Sequence, residues 1–283
     1  MTGDAATPPG SASGRASDDL RLRVISAAVL APLALGAAWL GGWPFLLFWT
    51  AAACVIQWEW RNIAVGTHGF GVQATAAAMG FAGIYAMLGR AEGIAWGLGI
   101  GIVLEVLFSR GRWIWAAAGF LYASALLVAC MLLRRDVDYG LTAIVLLFGI
   151  VWATDICGYF VGRAIGGPKL WPAVSPKKTW SGALGGAVGA VAAALAIVSW
   201  SYRANPLAVA GLALLLSAAS QAGDLFESWV KRRCGVKDAS HVIPGHGGVM
   251  DRLDGFLAAV VVAAVIGLAR GGMAAPARGL LVW

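Results

Sequence analysis

Long apolar runs separated by short polar breaks dominate the chain, at about 24–40, 43–58, 72–89, 94–108, 113–133, 141–162, 180–200, 207–223 and 250–269. Each run is long enough, or nearly so with tilt and bilayer thinning, to cross ~30 Å of hydrocarbon as a helix. The pattern predicts an all-α, polytopic integral membrane protein with about nine transmembrane helices, forming one domain over residues 20–283. Residues 1–19 are rich in Ala, Ser, Gly and Pro without apolar period, and read as a disordered tail. Arg21 and Arg23 before the first run would suit a signal peptide. The length of that run and the eight that follow favour an uncleaved anchor.

Composition agrees. Of 283 residues, 60% are hydrophobic and 12% charged, and the mean hydropathy is +0.77, which excludes an ordinary soluble domain. With the N-terminus inside, fifteen of the 21 basic residues fall on the cytoplasmic side and six opposite, with the Arg134/Arg135 pair running against the trend. This asymmetry places the charged loops, and a polar pocket between them, toward the cytoplasm. Cys54, Cys130, Cys157 and Cys234 show no metal-binding spacing and read as small buried apolar residues. Nucleic acid is not expected as a partner.

Polar residues concentrate between Gln221 and Gly255, in a stretch holding carboxylates, five basic residues and two histidines between two apolar runs. An ionisable group in a membrane helix costs about 2.5–3.5 kcal/mol on insertion scales, so it faces a wet cavity or a partner. Asp224, Glu227, Ser228 and Lys231 share one helical face, by their spacing of i, i+3, i+4 and i+7. That face is equally consistent with a solvated helix end carrying a Glu227–Lys231 pair. Asp251 and Asp254 open the next helix, where the dipole also favours acids. Together, Asp224 on one helix and Asp251 and Asp254 on the next supply hard oxygen ligands suited to Mg²⁺ shared with substrate phosphates, and Lys231, Lys237, Arg232 and Arg252 offset phosphate charge.

Two connections are long, Gly162 to Thr179 and Lys231 to Val249. Both are glycine-rich and basic, and could close on one anion pocket. In the second, the turn 244–248 contains His246, Gly247 and Gly248, whose backbone could approach an anion or simply turn the chain. In the first, Lys177 and Lys178 serve either phosphate or membrane anchoring. Asp155, inside the sixth run, needs a cation or a basic partner. Glu59 and Glu105 read as solvated or paired, His68 as a loop histidine without chemistry, and Gly182, Gly185, Gly186 and Gly189 as close helix packing.

Ser228-x-Val-Lys231-Arg232, Lys237-Asp238-x-Ser240, Ile243-Pro244-x-His246-Gly247-Gly248 and Asp251-Arg252-Leu253-Asp254 together form a pattern that resembles the phosphatidate cytidylyltransferase (CDP-diacylglycerol synthase) family. Asp155-x3-Tyr159-x2-Gly162 and Ser175-Pro-Lys-Lys-Thr-Trp180 look like that family too, so the resemblance covers the C-terminal half. Ser181 stands where the family commonly has Glu, and Gly158 where it commonly has Ala.

The resemblance implies transfer of cytidylyl from CTP to phosphatidate at a cytoplasmic membrane of bacterial type. Mg²⁺ would sit on Asp224 and Asp251, with a second, monovalent cation as a further option. Asp224, Asp251, Lys231 and Lys237 would be catalytic. Asp155, Lys177, Lys178, Ser228, Arg232, His246, Gly247, Gly248, Arg252 and Asp254 would bind substrate, and the protein would be a homodimer. Rival readings are a CTP-dependent enzyme for another lipid phosphate, and a cation-coupled transporter, which would carry repeats with interrupted helices.

Overall fold

A computed structural model of the protein describes residues 26, 28–66, 70–109, 111–201, 205–243 and 247–283. The expected N-terminal tail, His68 and His246 lie outside these residues. Among these residues the helices are, in order, α1 (Ala28–Leu40), α2 (Gly42–Ala64), α3 (Phe70–Leu88), α4 (Ala91–Phe108), α5 (Trp113–Arg134), α6 (Gly140–Ile165), α7 (Trp180–Ser201), α8 (Pro206–Arg233) and α9 (Met250–Gly271), with a short α10 (Pro276–Leu281) after them. Among the described residues, the seven from α3 to α9 are long and apolar enough to cross a membrane. The protein is therefore a helical, multi-pass integral membrane protein.

The connection between α6 and α7 is more ordered than its sequence suggests. It forms a two-stranded antiparallel hairpin, β1 (Lys169–Trp171) and β2 (Ser175–Thr179), pairing Lys169 with Thr179 and Trp171 with Ser175. Pairing satisfies backbone groups beside the membrane, and in so small a sheet Pro176 needs to give up no ladder bond.

Two helices overrun their apolar runs, and this positions the site. With 28 residues, α8 is about 42 Å long at ~1.5 Å per residue, well beyond the hydrocarbon thickness. It starts at Asn205, whose side chain accepts the Leu207 N–H at 3.0 Å, with Pro206 in the first turn. Its last ten residues, Asp224 to Arg233, remain helical, so the acidic face predicted from spacing is fixed on a rigid rod. Likewise α6 continues to Ile165 and ends where Gly166 takes a φ of +66°.

Helix α7 packs on α6 through its glycines. A Cβ added at Gly186 would lie 2.6 Å from the Thr154 carbonyl oxygen, at Gly182 2.8 Å from that of Gly158, and at Gly189 2.5 Å from Cys157 Sγ. Close packing is thus the role of this stripe. Gly158, where a family Ala is common, faces the Gly182 carbonyl with 3.2 Å to a built Cβ. Gly186→Val is expected to lower thermal stability in detergent by about 1–3 kcal/mol, because backbone stands in the way. Gly99→Ala, which meets nothing within 4 Å, should leave the melting temperature unchanged.

In the interior, the buried Trp49 of α2 stacks on Phe256 of α9 with centroids 5.1 Å apart and on Phe148 of α6 at 6.4 Å. Elsewhere in the N-terminal half, Arg61 and Glu105 form a buried ion pair, and Gln57 donates to Glu105 at 2.7 Å and to Thr75 at 2.6 Å. Arg134 donates to the carbonyls of Ala38, at 2.5 Å, and Trp39, at 3.2 Å, closing the end of α1; Arg135 donates to the Met273 carbonyl. Helix-end chemistry accounts for this pair's departure from the charge asymmetry. All four cysteines are free, and only Cys130 is fully enclosed.

Candidate active site

The C-terminal extension of α8, the first turn of α9, the end of α6 and the β hairpin enclose a cavity of 740 Å³. Its lining unites most of the residues selected from the sequence: Asp155, Lys177, Lys178, Asp224, Lys231, Asp251, Arg252 and Asp254. Lys178 of β2 pairs with Asp224 of α8, which ties the first long connection to that helix. Ser228 lies one turn below, its hydroxyl 3.4 Å from Asp224 Oδ1.

Lys231 is the most enclosed cation of the group. Its Nζ lies 2.8 Å from Glu227 Oε2 and 2.5 Å from Asp251 Oδ1, with 11% of its side chain exposed against 1% and 6% for the carboxylates. The intrahelical Glu227–Lys231 pair therefore exists, but inside the protein, so Asp251 must complete it. Asp251 uses its other oxygen to hold the loop, accepting the N–H of Ala239 at 3.0 Å and of Gly248 at 2.8 Å. Gly247 takes a φ of +84°, and a Cβ there would sit 2.9 Å from the same Asp251 oxygen. In this arrangement Gly247 and Gly248 lie against an internal carboxylate.

Lys237 and Arg232 are exposed and stand outside the lining, and Arg232 donates to the Val236 carbonyl at 3.2 Å. Arg163, Lys169 and Gln221, to which the sequence analysis assigns no role, also line the cavity, as does Asp238 of the Lys237-Asp238-x-Ser240 motif. Lys169 carries no spacing signal, because the hairpin brings it in, whereas Arg163 follows Asp155 and Tyr159 at four-residue intervals on the overrun of α6. Glu59 was read as solvated or paired; it is fully buried and hydrogen-bonded to the loop before α9. Ser181 donates to the Gly166 carbonyl, tying the start of α7 to the end of α6.

Among the described lining residues, six carboxylates (Asp155, Asp224, Glu227, Asp238, Asp251, Asp254) face six cations (Arg163, Lys169, Lys177, Lys178, Lys231, Arg252). With every group ionised, the charges of the lining sum to zero. No three Asp, Glu, His or Cys side chains among the described residues form a preassembled metal cage. Mg²⁺ in phosphate chemistry uses only one or two carboxylates and takes the rest from phosphates and water, so the donor set fits. Asp224 fits best, since it is 32% exposed and Ser228 is a distant partner for Oδ1. Asp251, with both oxygens hydrogen-bonded, would share its lone pairs between a metal and the loop.

Residues 21–269 match the profile of the Cytidylyltransferase family. The chain is 44% identical over 257 residues to "Phosphatidate cytidylyltransferase" of Brucella suis biovar 1 (strain 1330), covering 88% of this chain and 93% of that protein. It is 37% identical over 264 residues to the protein of the same name from Pseudomonas aeruginosa, covering 87% and 96%. Against that of Staphylococcus aureus (strain COL) it is 38% identical over 160 residues, covering 55% and 62%.

Proposed function

This chain belongs to the cytidylyltransferase family, and from that premise we propose how its cavity works. The protein transfers the cytidylyl group of CTP to phosphatidate, giving CDP-diacylglycerol and pyrophosphate. A phosphate oxygen of phosphatidate attacks the α-phosphorus of CTP, and the bond to the β-phosphate oxygen breaks. The observation that carries this reading is the neutral, charge-dense cavity built on helix ends that overrun the apolar slab.

A phosphate monoester has a second pKa near ~6, so the nucleophile is already largely dianionic at neutral pH and requires no strong base. Catalysis then consists of aligning two anions and offsetting their repulsion. Lys169, Lys177 and Arg252 line the cavity and pair with no carboxylate among the described residues, so they are available to phosphate oxygens. Asp224, with Asp155 and Asp254 beside it in the lining, would hold Mg²⁺, which supplies positive charge to the phosphates when bound. Lys178 orients Asp224, and Lys231 keeps Glu227 and Asp251 in register.

Phosphatidate cannot leave the bilayer cheaply and CTP cannot enter it, which favours a site at the membrane surface. The excess of basic residues supports a site on the cytoplasmic side of a bacterial cytoplasmic membrane, with α1 and α2 completing nine crossings, and the family resemblance supports a homodimer. The uninterrupted α6, α8 and α9 give no support to a transporter.

Purified protein in detergent, given radiolabelled CTP and Mg²⁺, is expected to label phosphatidate in preference to isoprenoid or ether-lipid phosphates, and to stop when the metal is chelated. Preference for another lipid phosphate would overturn the substrate assignment, and full activity in chelator would overturn the metal.

A further inference from the structure

Glu59 lies on α2, in the half of the chain where the sequence offers only generic spans, yet its carboxylate ends at the loop before α9. It is fully buried. Its Oε1 accepts the Ser240 hydroxyl at 2.5 Å and the Val249 N–H at 2.9 Å, while Oε2 accepts the Met250 N–H at 2.6 Å. A Cβ at Gly248 would fall 2.5 Å from Glu59 Oε1, so a side chain there would push the carboxylate off its partners.

The same loop is gripped from its other side by Asp251, through Ala239 and Gly248. Two carboxylates, one from α2 and one from α9, thus share the donors of a single loop. Glu59 takes the two amides at the start of α9, where the helix dipole also favours an anion. Asp251 is one residue beyond Met250, so any movement of these amides moves Asp251 and, through it, Lys231.

We propose that Glu59 is a positioning residue for catalysis: it locks Ser240, Val249 and Met250 against α2 and so fixes Asp251 and Lys231 at the cavity wall. This inference rests on the cytidylyltransferase reading of the cavity. Glutamine cannot replace it, because a carboxamide offers one acceptor oxygen and would turn its NH₂ toward groups that are themselves donors. Both carboxylate oxygens must accept.

The test uses the full-length protein in detergent. In Glu59→Gln, kcat per folded molecule is expected to fall about 10- to 100-fold, the scale set by loss of hydrogen bonds to a charged acceptor. The KM for CTP should stay within about threefold, since the phosphate-facing cations Lys169, Lys177 and Arg252 are untouched. Hydrogen exchange should quicken at least about tenfold at the Val249 and Met250 amides, with α2 and the later turns of α9 as protected as before. Should Glu59→Gln fail to fold, Ser240→Ala decides the matter: it removes one donor, keeps the carboxylate, and is expected to lower kcat about 3- to 10-fold with faster exchange confined to the loop. Unchanged kcat and unchanged loop exchange in the variant that folds overturns the proposal, as does loosening spread evenly over α2 and α9, which would make Glu59 a fold residue only. Exchange is read without turnover, so failure of the wild-type protein to use CTP and phosphatidate would undo the functional reading separately.

Discussion

Asp224→Asn is expected to reduce turnover at least about a thousandfold while the protein remains inserted and monodisperse. The amide keeps the shape of the side chain but gives up the charge that would hold Mg²⁺, and metal stabilisation of transferring phosphates contributes several kcal/mol, of which ~4 kcal/mol corresponds to a factor of about a thousand. Asp224 also anchors Lys178 of the β hairpin, so lost docking could produce the same phenotype. Lys178→Met separates the two causes, because it releases the hairpin and keeps the carboxylate. Loss of one charge-assisted contact predicts a decrease of about 10- to 150-fold for that variant. Incorporation of labelled CTP into lipid, normalised to folded protein, measures both. Activity of Asp224→Asn within tenfold of wild type at saturating Mg²⁺ would remove Asp224 from the metal site, and equal losses in the two variants would reduce it to a hairpin anchor.

The sequence was legible where periodicity and charge act locally. Seven of the apolar runs became helices long and apolar enough to cross a membrane, among the described residues, because burial of backbone groups in hydrocarbon leaves little choice but a helix. The 224/227/228/231 face was legible because α8 continues as a helix beyond its apolar run, and the glycine stripe of α7 because only the smallest residue permits such approach. Less legible was whatever depends on contacts between distant elements. Glu59 is 190 residues from its partner Val249, and on α2 it looks like any acid near a helix end. Lys237 lies in the same motif as Lys231, yet the chain turns past Gly235, at φ +74°, and leaves Lys237 exposed outside the cavity. Spacing along a loop does not reveal which of two lysines turns inward.

That division between Lys231 and Lys237 sets the second large effect. Lys231→Met is expected to destabilise the protein by about 3–5 kcal/mol and to lower turnover more than about a hundredfold, whereas Lys237→Ala should change either by less than threefold. Lys231 is the only cation within 4.0 Å of Glu227 and Asp251 among the described residues, and Glu227 Oε1 already lacks a hydrogen-bond partner. Removing the ammonium leaves two enclosed carboxylates facing each other, and breaking a buried pair from one side carries a cost of that size. Arginine does not restore the arrangement, because its planar fork cannot replace a compact ammonium between two carboxylates on adjacent helices. Adding Glu227→Gln to Lys231→Met relieves one uncompensated charge and should recover part of the lost melting temperature, but not the turnover, since Asp251 still lacks the contact that sets its position. Thermal unfolding in detergent and the labelled-CTP assay read the two quantities separately. If Lys231→Met melts like the wild type, the pair is solvated in the working protein; if Lys237→Ala loses as much activity as Lys231→Met, the loop must turn inward on substrate binding.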